Sequence, residues 1–248
     1  MINKGIIRKG MIIDIEGTDG SGKGTTAKKL KEVLINMGFK AEIVDFPQHN
    51  TVSGALVDNF LYDGLRFSGN NIQQSIREGM LYAIDRMVTM SAKDENGMSL
   101  IDKMYNGTML IMDRYVPSNF IHRATKLDEH DLKNYINIME SIEYGAMGLP
   151  EPDYTIVLDV DPIVAHDNIV KRGRQTDENE TLENIIKAHD KIKILCEMKN
   201  YDIVKCCKNI NEKVEMRKPD EILMDVIKVI TDGENNKARM IEESINNI

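Results

Sequence analysis

The chain has 248 residues, 42% of them hydrophobic, which is enough for one generous α/β domain and too few for two comfortable ones. Its 32 basic and 40 acidic residues give a formal net charge of -8, which argues against nonspecific binding to nucleic acid or to an anionic membrane. Any anionic substrate must then be held by local positive charge, and apolar runs such as MIIDI and TIVLDV are far short of the roughly 20 residues a spanning helix needs.

The start, MINKGIIRKG, has no apolar signal core. Cys196, Cys206 and Cys207 show no zinc-ligand spacing, and neighbouring cysteines seldom bridge each other. Both observations predict a cytoplasmic protein with reduced thiols in packing roles.

Residues 11–15 form the first β-rich run, and GTDGSGKGTT follows at 17–26. Ala27, Leu30, Leu34 and Met37 then keep helical spacing until Gly38 supplies a stop. A second strand is predicted at 41–44. The next helix runs from 71 to about 89, with Ile72, Ile76, Met80, Ile84 and Met87 or Val88 as its apolar stripe. SAKDENGMS is a polar loop, and residues 109–112 are the third strand. A helix over about 128–147 turns Leu132, Tyr135, Ile136, Met139 and Ile142 inward. Strands at 154–160 and 203–206 enclose a helix that starts near Pro162. Pro219 opens a late helix to about 230, within a domain of residues 1–232, and 233–248 reads as a tail, itself a candidate for a loosely attached helix. Strands alternating with helices imply a parallel sheet covered on both faces.

The glycine-rich loop joins the first strand to a helix, so its backbone N–H groups and the positive helix end converge on phosphate oxygens, with Gly20 and Gly22 permitting close approach. Gly17, Thr18, Asp19, Gly20, Ser21, Gly22, Lys23, Gly24, Thr25 and Thr26 are all assigned to this donor-phosphate site, Lys23 reaching the β- and γ-phosphates. Gly24 stands where a Ser or Thr usually holds magnesium and cannot ligate a metal. Thr25, one residue later, and Asp113, at the end of the third strand, could hold Mg²⁺ through water. The bland alternative has Asp113 only capping or pairing with Arg114; its place at a strand's carboxyl end favours the functional reading.

The series GTDGSGKGTT, DFPQHN, LYAIDR, DRYVPSN, GLPEPDYTIVLDVDP and KRGR, in that order over roughly residues 10 to 230, resembles the thymidylate kinase family. The resemblance implies a P-loop NTPase fold with a five-stranded parallel sheet, transfer of the γ-phosphoryl of ATP to dTMP, and a homodimer. It places Asp19 by the deoxyribose 3′-hydroxyl and the metal, Tyr82 on the thymine ring, and Arg86 at the base O4. It places Arg114 between donor and acceptor phosphates and Asn119 against the thymine, with Ser118 also on the substrate side. Spacing alone would read Tyr82 as core and Arg86 as a surface charge. His122 falls where some relatives place a tyrosine against the sugar, and is a specificity candidate. Arg172 and Arg174, in KRGR, resemble the arginines of a bacterial-type lid, expected over about 171–181; a solvated basic turn is the bland alternative. Phe46, Pro47 and Gln48 match the family's FPR with glutamine in place of arginine, which leaves open a kinase for dUMP or a modified pyrimidine. A nucleotide-binding regulator without turnover is the rival from another class.

Overall fold

Strand β1, Ile12–Glu16, is buried along its whole length although two of its five residues are acids. It is the centre of a five-stranded sheet in the computed structural model, which describes residues 7–173, 181–210 and 213–246. Strands β2 (Lys40–Asp45), β3 (Thr108–Asp113), β4 (Tyr154–Asp159) and β5 (Asp202–Lys205) complete it in the order β2-β3-β1-β4-β5, all parallel. The chain leaves β1 toward β2 and later returns to β4 on the other side. Such a reversal opens a crevice beyond the carboxyl ends of the strands, where open α/β sheets bind ligands. β1, β2, β3 and β4 end there on Glu16, Asp45, Asp113 and Asp159.

Each face of the sheet carries its own apolar layer. Helices α1 (Lys23–Asn36), α7 (Pro162–Arg172) and α9 (Pro219–Asn246) cover Ile13, Ile15, Ile156 and Leu158. Helices α3 (Asn71–Ser91), α5 (Val116–Ala124) and α6 (Glu129–Glu140) cover Ile12, Leu110, Met112 and Val157. α8 (Leu182–Lys199) contributes to both layers. α2 (Val52–Tyr62) packs on α3 through Val57, Phe60 and Leu81, and the short α4 (Leu100–Tyr105) leads into β3. Cys196 and Cys206 are unpaired and buried, and burial pushes both thiols up to about 12, so they pack rather than react.

Three boundaries differ from the periodicity. The helix expected to run to 147 ends as α-helix at Glu140 and continues as a π-helical turn, Ser141–Ala146. Its inward residue is Glu143, with Ile142 only partly covered. Secondly, α9 does not stop near 230 but runs to Asn246. The reason is a polar clasp beyond that point, where Tyr154 donates to Glu234 at 2.8 Å and Lys237 pairs with Glu234 at 3.0 Å. Thirdly, β5 is followed by an antiparallel hairpin, β6 (Cys207–Ile210) and β7 (Lys213–Met216). No helix among the described residues is long and apolar enough to cross a membrane.

Candidate active site

The phosphate loop fills the turn between β1 and α1. Gly20 has φ of +78°, and a Cβ there would collide with the Ala165 carbonyl of α7; only glycine lets the loop lie this close to that helix. Asn168 pins the contact by donating to the Gly20 carbonyl at 3.0 Å. Gly24 has a different cause. A Cβ there would stand 2.9 Å from an Asp113 carboxylate oxygen, so the space of the usual hydroxyl side chain belongs to the acid from β3.

Lys23 folds over the loop, its Nζ donating to the carbonyls of Gly17 at 3.0 Å and Thr18 at 2.9 Å. Burial, with Arg114 nearby, lowers this ammonium from its usual range to about 8. Among the described residues the buried Thr18 and Ser21 hydroxyls have no hydrogen-bond partner. A loop with a poised cation and unspent polar groups is suited to an anion.

A cavity of about 270 Å³ opens beside the loop. Asp19, Gly20, Gly22, Lys23 and Gly24 form one side of it, and Asp113, Arg114 and Arg172 lie along it. Phe46 and Pro47 come from the loop after β2, Tyr82 and Arg86 from α3, and Ser118, Asn119 and His122 from α5. Tyr82 and Arg86 share the cavity because they lie one helical turn apart, and Tyr82 meets Phe60 edge-on with centroids 6.5 Å apart.

Arg114 occupies the junction. Its backbone is in the left-handed region, φ +75°, and its guanidinium bonds Asp19 through Nη2 and His122 Nε2 through Nη1, the latter at 2.7 Å. Arginine can only donate, so His122 accepts on Nε2 and carries its proton on Nδ1. Burial and then Arg114 hold that imidazole down to about 3, well below its usual range, so it stays a neutral acceptor. The structure thus gives His122 a contact that spacing did not suggest: it braces Arg114. The turn is secured from below by Glu16, which accepts from the Tyr115 amide at 2.9 Å and the Ser118 hydroxyl at 2.7 Å.

Arg86, 1% exposed, is gripped by Glu143 in a two-pronged ion pair at 2.6 and 2.7 Å. Asn119 donates to the same carboxylate and to the Gly79 carbonyl, each at 3.2 Å. Arg123 also lines the cavity, bound to Glu78.

Not every expected residue meets the cavity. Gln48 is turned away: its amide donates to the Asp45 carbonyl at 2.5 Å, and its backbone N–H donates to Asp85 at 2.8 Å. His49 lines the cavity instead, with Nδ1 2.5 Å from an Asp58 oxygen. Gly17, Ser21 and Thr26 build the loop and the start of α1, and Thr18 faces a second, neighbouring cavity. Thr25, expected beside the metal, is exposed on α1 and lines neither cavity; Asp113 does line the main one. Arg174 and most of the expected lid lie outside the described residues. Spacing missed Glu16, Glu78, Arg123, Glu143 and His49. Glu143 had a signal, since it lies four residues after Met139 on the inward stripe, where an acid calls for a buried partner. Glu16 had a similar one, as an acid ending a strand with no exposed face.

A parallel sheet with the phosphate loop after its central strand, and a cationic cavity at the reversal of strand order, defines a P-loop kinase acting on a nucleotide. The family model for thymidylate kinase matches residues 15–220. The chain is 29% identical over 189 residues to the thymidylate kinase of Schizosaccharomyces pombe, covering 74% of this chain and 77% of that one. It is 30% identical over 177 residues to the thymidylate kinase of Mycobacterium tuberculosis, covering 70% and 77%. The solved structure of thymidylate kinase from Candida albicans superimposes with a TM-score of 0.63 at 21% identity, over 92% of this chain and 93% of that one, a likeness of fold. The chain belongs to the thymidylate kinase family.

Proposed function

We propose that the phosphoryl group which this thymidylate kinase moves onto dTMP, giving dTDP, comes from ATP bound with Mg²⁺ at the phosphate loop. The observation that carries this reading is Arg114, held by Asp19 and His122 where the loop side of the cavity meets the α3–α5 side. A guanidinium there can touch the transferred group and the acceptor phosphate together.

The chain's own groups divide the work. Loop amides and Lys23 take the donor phosphates, Lys23 exchanging two carbonyls for phosphate oxygens. Tyr82, Arg86 and Asn119 take the thymine, Phe46 and Pro47 border it, and Ser118 lies beside it. Asp19 serves the sugar hydroxyl while it orients Arg114. His49, rather than Gln48, is the group from DFPQHN that faces the acceptor phosphate, since Gln48 is spent on Asp45. Arg172, at the end of α7, covers the phosphates, with Arg174 beyond it as its proposed lid partner.

The attacking atom is a phosphate oxygen already ionised at neutral pH. No general base is needed, and catalysis reduces to alignment and charge stabilisation. Asp113 suits the metal: it is a hard oxygen donor facing the cavity beside Lys23, with Gly24 leaving it room. When bound there, Mg²⁺ supplies neutralisation of phosphate charge and orientation of the donor.

The reading includes one catalytic domain over residues 1–232, a cytoplasmic location supported by three unpaired thiols, and a homodimer supported by family membership. Apolar side chains exposed on α2 and α3, Val52, Leu56 and Val88, offer such a dimer a surface. A steady-state panel of dTMP, dUMP, dCMP, dGMP and dAMP, with ATP and Mg²⁺, tests the assignment. It predicts the highest kcat/KM for dTMP; an equal or higher value for dUMP would transfer the acceptor assignment to that nucleotide.

A further inference from the structure

Arg86 and Asn119 reach the cavity from different helices, yet one carboxylate holds both from behind. Glu143, fully buried on the π-helical turn, accepts from Arg86 Nε through Oε2 at 2.6 Å. Its Oε1 accepts from Arg86 Nη2 at 2.7 Å and from Asn119 Nδ2 at 3.2 Å. A single bonded side of the guanidinium is thereby fixed on protein, and the Nη1 edge is left for the cavity.

The same contacts decide how the Asn119 amide points. Its Nδ2 has two hydrogens, and the Gly79 carbonyl and Glu143 accept one each. A flipped amide would set Oδ1 against two acceptors, with no proton between them. Oδ1 is therefore the atom that Asn119 offers to the cavity.

We propose that Glu143 is a positioning residue that sets the hydrogen-bond polarity of the base site, so that it presents one acceptor, Asn119 Oδ1, beside one donor edge, Arg86 Nη1. The complement is a pyrimidine edge with a ring N–H next to a carbonyl oxygen. Thymine and uracil have that edge; cytosine, with a bare ring nitrogen next to an amino group, has its reverse. The π-helical turn is part of this device, because the widened turn carries the acid that both recognition side chains share, and such turns recur at functional sites. The inference rests on the reading of this cavity as the acceptor site.

Glu143→Gln replaces one acceptor oxygen by a donor of nearly the same shape. At saturating ATP the variant raises KM for dTMP by about tenfold or more and lowers the dTMP-to-dCMP ratio of kcat/KM by about tenfold or more; with ATP varied at saturating dTMP, KM for ATP and kcat stay within about threefold. An unchanged ratio, or equal rises in both KM values, overturns the proposal. Competition measured on the unaltered protein keeps the test open even if that variant does not fold. N3-methyl-dTMP, which lacks the ring N–H, and dCMP should each compete with dTMP about tenfold or more weakly; closer competition by either overturns the assigned polarity. Arg86→Ala, assayed alongside, separates the two readings. If it leaves KM for dTMP unchanged, the cavity is not the base site; if it raises KM while Glu143→Gln does not, only the role of Glu143 fails.

Discussion

Gly24 and Asp113 compete for one volume, and the glycine yields it. A side chain at 24 would lie within 2.9 Å of the carboxylate, so Gly24→Ser should displace Asp113 instead of supplying the hydroxyl common in other phosphate loops. The expected outcome is a loss of about tenfold or more in kcat, seen in a coupled ADP-release assay; full activity would show that the acid has no fixed task. Lys23 makes a second prediction. Burial first, then Arg114, puts its pKa near 8 before phosphate binds, so the ammonium is present below that pH and lost above it. kcat/KM for ATP should fall as pH rises through about 8, while kcat at saturating ATP holds to higher pH, because bound phosphate favours the charged lysine. Coincident declines in both profiles would contradict this. At this scale the phosphate loop was legible because its chemistry is contiguous in the chain. Glu143, Glu78 and His49 were not, since each acquires its role only from a partner on another element. Gln48 was misplaced for the same reason: its neighbour Asp45 takes the side chain.

Among the elements, β1 is the most demanding, with Asp14 and Glu16 on the face that also buries Ile12. Burial, reinforced by Glu16, raises Asp14 well above the ordinary carboxylate range. A raised folded-state pKa means its favourable contribution is full below the unfolded value, near 4, and is lost as pH rises toward the folded one. Asp14→Asn cannot ionise, so its unfolding midpoint in urea should gain on that of the natural protein between about pH 5 and pH 8. A constant difference across that range would show that Asp14 does not titrate with folding. The five strands of the parallel sheet were readable to within a residue or so, since buried parallel strands are short runs dominated by apolar residues. The helix at 128–147 was readable as an element but not in its last turn, where the pairing of Glu143 with Arg86 accompanies a local widening that periodicity cannot express. α9 outran its expected end because the clasp of Tyr154, Glu234 and Lys237 joins residues some 80 positions apart in sequence.

Over the whole molecule, a net charge of -8 coexists with a cavity lined by Lys23, Arg86, Arg114, Arg123 and Arg172. The architecture reconciles the two by gathering cations at the reversal of strand order and holding three of them with acids: Arg86 by Glu143, Arg114 by Asp19, and Arg123 by Glu78. Fold class followed from alternating strands and helices; the cavity did not, because it assembles from six separate stretches of chain. Its centre is Arg114, the side chain proposed to act on the transferred phosphoryl group. The most direct measurement is single-turnover phosphoryl transfer by Arg114→Ala with ATP and dTMP both saturating. The rate should fall by about a thousandfold or more, as when an arginine is removed from such a transition state, with the affinity of each nucleotide changed far less. A rate within about tenfold of the natural protein would contradict it.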